Sequence, residues 1–261
     1  MGDRITEESL RGTSTSIIGR EIEILEEVTS TNDVARERAE KGCPEGLIVI
    51  ARSQTSGKGR AGRSFVSPPG GLYLSVVLRP EISSGQVSTL PLMAGLAVSK
   101  SISASLMLPS RLKWPNDVLV NDRKVCGILA ESSTKGDRLD HVIIGIGINV
   151  NSTLKDLPSE LSRSAGTLTE AKGSTVDIEE LLRDLVCFLE MLYKRFLEGD
   201  IGGILDEWTE RSESVGREVK VSTSDGTMKG KALGVDQSGA LLLSVEGSIR
   251  RISFGDVEHI D

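Results

Sequence analysis

Gly57-Lys58-Gly59-Arg60-Ala61-Gly62-Arg63, continuing through Ser67-Pro68-Pro69-Gly70-Gly71 into the apolar run Leu72–Leu78, is where the architecture is settled. Its first six residues spell GxGxxG. In a dinucleotide-binding fold that spelling opens a helix at once, so that the helix N-terminus meets a pyrophosphate. Here two prolines and two glycines intervene and a strand follows, which leaves no place for a helix to start. It is not a P-loop either, because Gly59 rather than Ser or Thr follows Lys58. What remains is a basic loop. Three glycines permit positive φ and close backbone approach. Lys58, Arg60 and Arg63 beside them suit a phosphate whose charge must be neutralised and held. A solvated basic turn reads the same way.

Outward from this loop, helices and strands are mixed. Upstream, Glu21–Val28 alternates as a strand and Leu47–Ala51 is a short buried one. Between them Ser30 and Asp33 have capping-box spacing, which predicts a helix that Gly42 and Pro44 stop near Lys41. Before them, a short helix from about Glu7 is expected. Downstream, Leu90–Leu106 has helical spacing. Val118–Val120, Val125–Ala130 and His141–Val150 form a meander with turns at Asn121-Asp122 and Lys135-Gly136-Asp137. Asp177–Leu197 carries one continuous apolar stripe, with Asp177 and Glu180 placed to cap it, and a second helix falls near Ile204–Trp208. Beyond Ser212 the texture changes to short strands at 217–223, 227–235, 240–245 and 248–253, which suggests a small all-β barrel. The expected organisation is therefore α+β: a mixed, largely antiparallel sheet with helices packed on it over residues 1–212, then a barrel over 213–261.

Composition narrows the function. The net charge of −7 argues against affinity built on nucleic-acid phosphates, and aromatics at 3% are few for stacking bases. Three scattered cysteines form no CxxC, and two histidines, His141 and His259, support neither a Ser-His-Asp triad nor a multi-histidine metal site. No stretch reaches the roughly 18 apolar residues of a membrane span, and no signal peptide is evident, so a cytoplasmic protein is expected.

Three further strings carry chemistry. Lys113-Trp114-Pro115-Asn116-Asp117 sets a cation, an amide and a carboxylate on a stiff bend. In Arg123-Lys124-Val125-Cys126-Gly127-Ile128-Leu129, Lys124 opens a strand that otherwise reads as core; a solvated hairpin corner is the plainer account. Ile144-Gly145-Ile146-Gly147-Ile148-Asn149 places its isoleucines on one face and Gly145, Gly147 and Asn149 on the other. Two glycines on one face suggest that something flat lies against it, or that a helix packs closely there.

Taken in order, Thr29-Ser30-Thr31-Asn32, the basic glycine loop, Lys-Trp-Pro-Asn-Asp, Arg-Lys-x-x-Gly-Ile-Leu and Gly-Ile-Gly-Ile-Asn resemble the biotin protein ligase family over about residues 20–212. The C-terminal strands look like that family's SH3-like domain. The resemblance implies a class II synthetase-like catalytic domain. It would make biotinyl-5′-AMP from biotin and ATP, with Mg²⁺ accompanying the nucleotide and no protein-ligated metal. The biotin would then pass to a lysine of a biotin carboxyl carrier protein. It assigns Ser30, Thr31, Asn32, Gln54, Lys58, Gly59, Arg60, Lys124, Gly127 and Gly145 to biotin. Lys58, Arg60, Arg63, Lys113 and Asn149 fall to the adenylate, and Lys124, Asp117 and Arg60 to catalysis, with Asp117 receiving the acceptor lysine.

The usual family loop, Gly-Arg-Gly-Arg-x-Gly, has Lys58 in place of its first arginine here, which keeps the charge and loses the bidentate fork. Some family members carry an N-terminal winged helix. Too few residues precede Glu21 for one, so no DNA binding is expected, and a homodimer through an exposed sheet edge is allowed. A lipoate or octanoate ligase on the same fold and a non-catalytic biotin sensor are the rival readings.

Overall fold

The computed structural model describes Ile5, residues 15–152 and residues 164–260. The helix expected from Glu7 lies outside them. The larger sheet comprises β1 (Ile22–Val28), β2 (Ile48–Gln54), β3 (Leu72–Leu78), β4 (Arg111–Lys113), β5 (Asp117–Val120), β6 (Arg123–Lys135) and β7 (Arg138–Ile148). Their order is β1-β2-β3-β7-β6-β5-β4. β1 and β2 run parallel, joined by the crossover helix α1 (Thr31–Glu40), and the other neighbours pair antiparallel. At the β5–β6 turn Asn121 and Asp122 both have positive φ (50° and 60°), as a two-residue hairpin of this twist requires.

The period of two along each strand sorts residues between two faces. Val142, Ile144, Ile146 and Ile148 of β7, with Leu72, Leu74, Val76 and Leu78 of β3, enter the main core. Over that face lie α2 (Thr89–Leu106), α4 (Ile178–Leu197) and α5 (Ile201–Glu210). The apolar stripe of α4 is buried as its spacing predicts, and Asp177 caps it by accepting from the N–H groups of Glu179 and Glu180. On the opposite face α1 covers a smaller cluster, with Ala35 and Ala39 against Val49, Val77 and Ile143. Beyond the start of α1 that face carries glycines and polar groups instead, and there the cavity opens.

Two helix starts differ from expectation. Ser30 does precede α1, but its side chain makes no capping bond and Asp33 does not return one. Asp33 instead pairs with Arg36 and Lys58. A true capping box occurs at an unanticipated short helix, α3 (Leu168–Lys172), where Thr167 and Glu170 satisfy each other's backbone N–H. Glutamate has the extra methylene needed to reach back, and the Thr167-x-x-Glu170 spelling was the available signal.

The C-terminal unit is a five-stranded antiparallel sheet of β8 (Glu218–Thr223), β9 (Gly226–Val235), β10 (Leu241–Val245), β11 (Ser248–Ile252) and β12 (Asp256–His259), ordered β11-β10-β9-β8-β12. β12 was not anticipated, because four residues with one buried apolar side chain, Val257, carry little pattern. Trp114 joins the two sheets: it is 2% exposed, and its Nε1 donates to the Gly239 carbonyl at 3.0 Å. The Trp of the signature string therefore holds the C-terminal unit rather than a ligand. Near the start of the described chain, the buried Glu190 of α4 accepts from the backbone N–H groups of Ser16, Ile17 and Ile18. Burial alone would raise its pKa; Lys194 and these N–H groups outweigh that and hold it at about 2. No described helix is long and apolar enough to cross a membrane.

Candidate active site

A cavity of about 170 Å³ opens on the α1 face of the sheet. Its floor comes from the β1–α1 junction. Ser30, Thr31 and Asn32 are 2%, 4% and 3% exposed, and they line the cavity with Gln54 at the end of β2. The Thr31 backbone N–H donates to Gln54 Oε1 at 2.8 Å, and Gln54 Nε2 donates to Ser67 Oγ at 2.8 Å. Asn32 donates through Nδ2 to Glu131, while its Oδ1 accepts from Ser75. The first turn of α1, β2, β3 and β6 are thus stitched together under one hollow.

The glycines allow this. A Cβ on Gly145 would stand 2.1 Å from Asn32 Oδ1, and one on Gly147 would stand 2.6 Å from the Phe65 ring. Hence Gly145 makes room for the Asn32 side chain of α1 as well as bordering the hollow. Phe65 lies across Gly147 and, more loosely, Gly127, and meets Tyr73 edge-on.

Lys124 reaches the same hollow through a bulge. Between the pairs Val118↔Cys126 and Leu119↔Lys124, β6 carries one extra residue, Val125. That residue reverses the alternation, so Lys124 falls on the side of Gly127 rather than in the core. The Lys124 side chain passes 3.3–3.4 Å from where a Gly127 Cβ would be, and its Nζ sits 2.7 Å from Asp117 Oδ1. That oxygen is buried and lacks a well-aligned hydrogen bond, so the close ammonium is what balances it. Lys124 is accordingly no solvated hairpin corner.

The rim is cationic. Lys58 pairs with Asp33 at the first turn of α1. Arg60 donates to the Gly255 carbonyl at 3.2 Å and lies 3.6 Å from Asp256; Arg63 pairs with Asp256 at 2.8 Å. Burial lowers the Arg60 guanidinium's pKa, and Asp256 acts against that shift. The glycine loop is therefore anchored at one end to the first turn of α1 and at the other to the C-terminal unit. Within it Ala61 and Gly62 take positive φ (52° and 73°), forming a single tight turn rather than the start of a helix.

Of the residues singled out from sequence, Ser30, Thr31, Asn32, Gln54, Lys58, Gly59, Arg60, Arg63, Asp117, Lys124, Gly127 and Gly145 line one cavity. Lys113 and Asn149 are outside that lining. Lys113 is near enough to Glu258 of β12 for its charge to help lower that carboxyl's pKa, and Asn149 donates to the Gly166 carbonyl at 3.1 Å. Sequence reasoning missed Phe65, Asn116 and Asp256 as lining residues, and Ser75 and Glu131 beneath them. Asn116 stood inside a motif already quoted. Asp256 had no local signal, since nearly two hundred residues separate it from the loop it holds.

A fold with this sheet order, a basic glycine loop closing a polar hollow and a small C-terminal β unit defines a ligase class, and comparison with known proteins agrees. The sequence profile of the Biotin/lipoate A/B protein ligase family matches residues 24–149, and that of the Biotin protein ligase C terminal domain matches 215–260. The chain is 35% identical over 257 residues to the Bifunctional ligase/repressor BirA of Bacillus spizizenii, covering 98% of this chain and 79% of that protein. It is 31% identical to the Biotin--[acetyl-CoA-carboxylase] ligase of Mycobacterium tuberculosis, over 92% of this chain and 90% of the other. The crystal structure of the Aquifex aeolicus biotin protein ligase, in complex with biotin and ATP, superposes with a TM-score of 0.79 at 33% identity, covering 92% of this chain and 98% of that one. The chain belongs to the biotin protein ligase family.

Proposed function

We propose that this chain joins biotin to a biotin carboxyl carrier protein in two steps within the one cavity. In the first, a biotin carboxylate oxygen attacks the α-phosphorus of ATP, the bond to the β-phosphate bridging oxygen breaks, and pyrophosphate leaves. Two anions must meet, so Lys124, Arg60 and Lys58 are suited to neutralise the approach and hold it in line. Arg63 extends that cationic rim over the adenylate. In the second step a carrier lysine, as the free amine, attacks the acyl carbon and AMP departs; Asp117, beside Lys124, is placed to orient that amine and take its proton. Ordering of Gly59 and its neighbours over the mixed anhydride would keep water away. Ser30, Thr31, Asn32 and Gln54, with Gly127 and Gly145, form the biotin end.

The observation that carries this reading is the 2.7 Å pair of Lys124 and Asp117 laid over the bare Gly127, on the face where the Ser-Thr-Asn floor lies. Asn149 spends one Nδ2 hydrogen on Gly166, which leaves its other hydrogen and Oδ1 for the adenine, and Lys113 would act on the nucleotide from outside the cavity lining. Mg²⁺ enters with the nucleotide. Among the described residues no cluster of three His, Cys, Asp or Glu offers it a protein site, and no step is assigned to it. A cytoplasmic setting suits the three free cysteines. A second copy would have the edge of β6 beyond Ile128, which no described strand pairs on its β5 side.

The test is incubation with ATP, Mg²⁺, a carrier domain and biotin, read by streptavidin blot, with lipoate and octanoate offered in parallel and pyrophosphate counted. Labelling with biotin alone is expected. Pyrophosphate release with lipoate or octanoate in preference would transfer the reading to that chemistry. Biotin binding without a labelled carrier would make the chain a sensor.

A further inference from the structure

The hydrogen bonds under the cavity admit one arrangement of protons, because their ends leave no choice. The Thr31 backbone N–H can only donate, and Gln54 Oε1 receives it at 2.8 Å. The Glu131 carboxylate, ion-paired to Arg36, can only accept, and it takes Asn32 Nδ2 at 2.7 Å. The Asn32 carboxamide is thereby oriented, with Oδ1 turned to Ser75 Oγ at 2.6 Å. A carbonyl oxygen has no proton to give, so the one Ser75 proton lies on that bond. Ser75 Oγ is also 2.8 Å from Thr31 Oγ1, and with its own proton committed it must accept there. Two oxygens 2.8 Å apart need a proton between them, so the Thr31 proton goes to Ser75, and Gln54 Oε1, 3.1 Å away, is left to the Thr31 backbone N–H. That acceptor belongs to the protein.

Thr31 therefore turns no proton toward the cavity that it lines. We infer that Ser75 and Glu131 are the positioning residues of the cavity floor: together they leave Thr31 Oγ1 an obligate acceptor, which favours a head group that brings an N–H donor. Ser75 is wholly buried and Glu131 partly exposed, and neither lines the cavity. Asn32 likewise acts through others, since both ends of its carboxamide are engaged. The inference rests on the biotin ligase reading and gives it a physical selectivity. The ureido ring of biotin carries two N–H groups, whereas a dithiolane or an octanoyl tail carries none.

The experiment measures calorimetric Kd values for biotin and for its two carbamate isosteres, each with one ureido N–H replaced by ring oxygen, on the full chain. Wild type should discriminate against at least one isostere by about tenfold or more, the worth of one hydrogen bond replaced by two opposed acceptors. In Ser75→Ala the Thr31 hydroxyl is free to rotate, and that preference should fall by about fivefold. Should Ser75→Ala fold poorly, Glu131→Lys carries the test from a partly exposed strand. It offers a donor in place of the acceptor, the Asn32 carboxamide turns over, and Ser75 donates to Thr31, occupying its lone pair. The same fall is expected there, while Glu131→Gln, which keeps an acceptor oxygen, retains the preference. If Ser75→Ala and Glu131→Lys weaken biotin and both isosteres alike, the two residues are merely structural and the inference is wrong. A wild-type protein that binds no biotin at all would instead remove the functional reading beneath it, and the inference with it.

Discussion

The floor and the rim of the cavity are built on opposite physical terms. The floor is uncharged and buried: Thr31, Asn32 and Ser75 are each at most 4% exposed, and each is held in a continuous hydrogen-bonded chain. The rim is charged and wet, with the Lys58, Arg60 and Arg63 side chains 37%, 23% and 57% exposed and tied to carboxylates. A buried network is costly to break, because any member left unpaired bears its full desolvation penalty. An exposed ion pair is worth at most about 1 kcal/mol and is screened by salt. The floor is therefore suited to hold one geometry and set what binds, whereas the rim is suited to let go and re-form.

Lys124 belongs to neither, bridging the two beside Asp117, and the largest effect is expected there. Lys124→Ala should slow biotin-dependent pyrophosphate release by about 100-fold or more, since it removes a preorganised charge from the phosphoryl step. Biotin should still bind within about tenfold of wild type by calorimetry if the floor acts alone. Gly145→Ala attacks the floor itself. Its methyl would stand 2.1 Å from Asn32 Oδ1 and force that side chain off Ser75. The KM for biotin should rise by about tenfold or more, with kcat within about threefold, because ground-state binding is lost before chemistry is touched. An unchanged KM would mean that the floor is as pliable as the rim.

Asp256→Ala tests the rim from the C-terminal side, removing the carboxylate that Arg60 and Arg63 share. The KM for ATP should rise about two- to fivefold in steady-state assays, biotin affinity staying as it was, as befits an exposed pair. An equal loss of biotin affinity would show the two regions to be one. The smallest effect is expected of Lys58→Arg. A guanidinium fork can hold Asp33 and a phosphate oxygen together, so leakage of biotinyl-adenylate into solution should fall by about twofold. Equal or greater retention by the wild type would remove the significance given to the lysine at this position.

Much of this arrangement was legible because its cues were local. The proline-glycine stretch after the basic loop ruled out a helix, and the alternation of Ile144–Asn149 placed two glycines on one face. What was not legible depended on partners distant in the chain. Ser30 and Asp33 spelled a cap, yet Asp33 turned to Lys58, which arrives from the glycine loop, and to Arg36 one turn along its own helix. Lys113 belonged to a quoted motif, yet it lies outside the lining of the hollow, and its charge acts on Glu258 of the distant strand β12.

The amino-acid order was enough to establish most element types and the exclusion of a dinucleotide fold, since helix and strand periods and turn residues act over a few positions, and the resemblance it carries implied the groups for acyl-phosphate chemistry. Folding alone could establish which way those groups face. One bulged residue at Val125 turns Lys124 from core to cavity once the β5–β6 hairpin pairs, and Glu131, on a strand distant in the chain, orients the Asn32 carboxamide; neither relation exists until those elements meet.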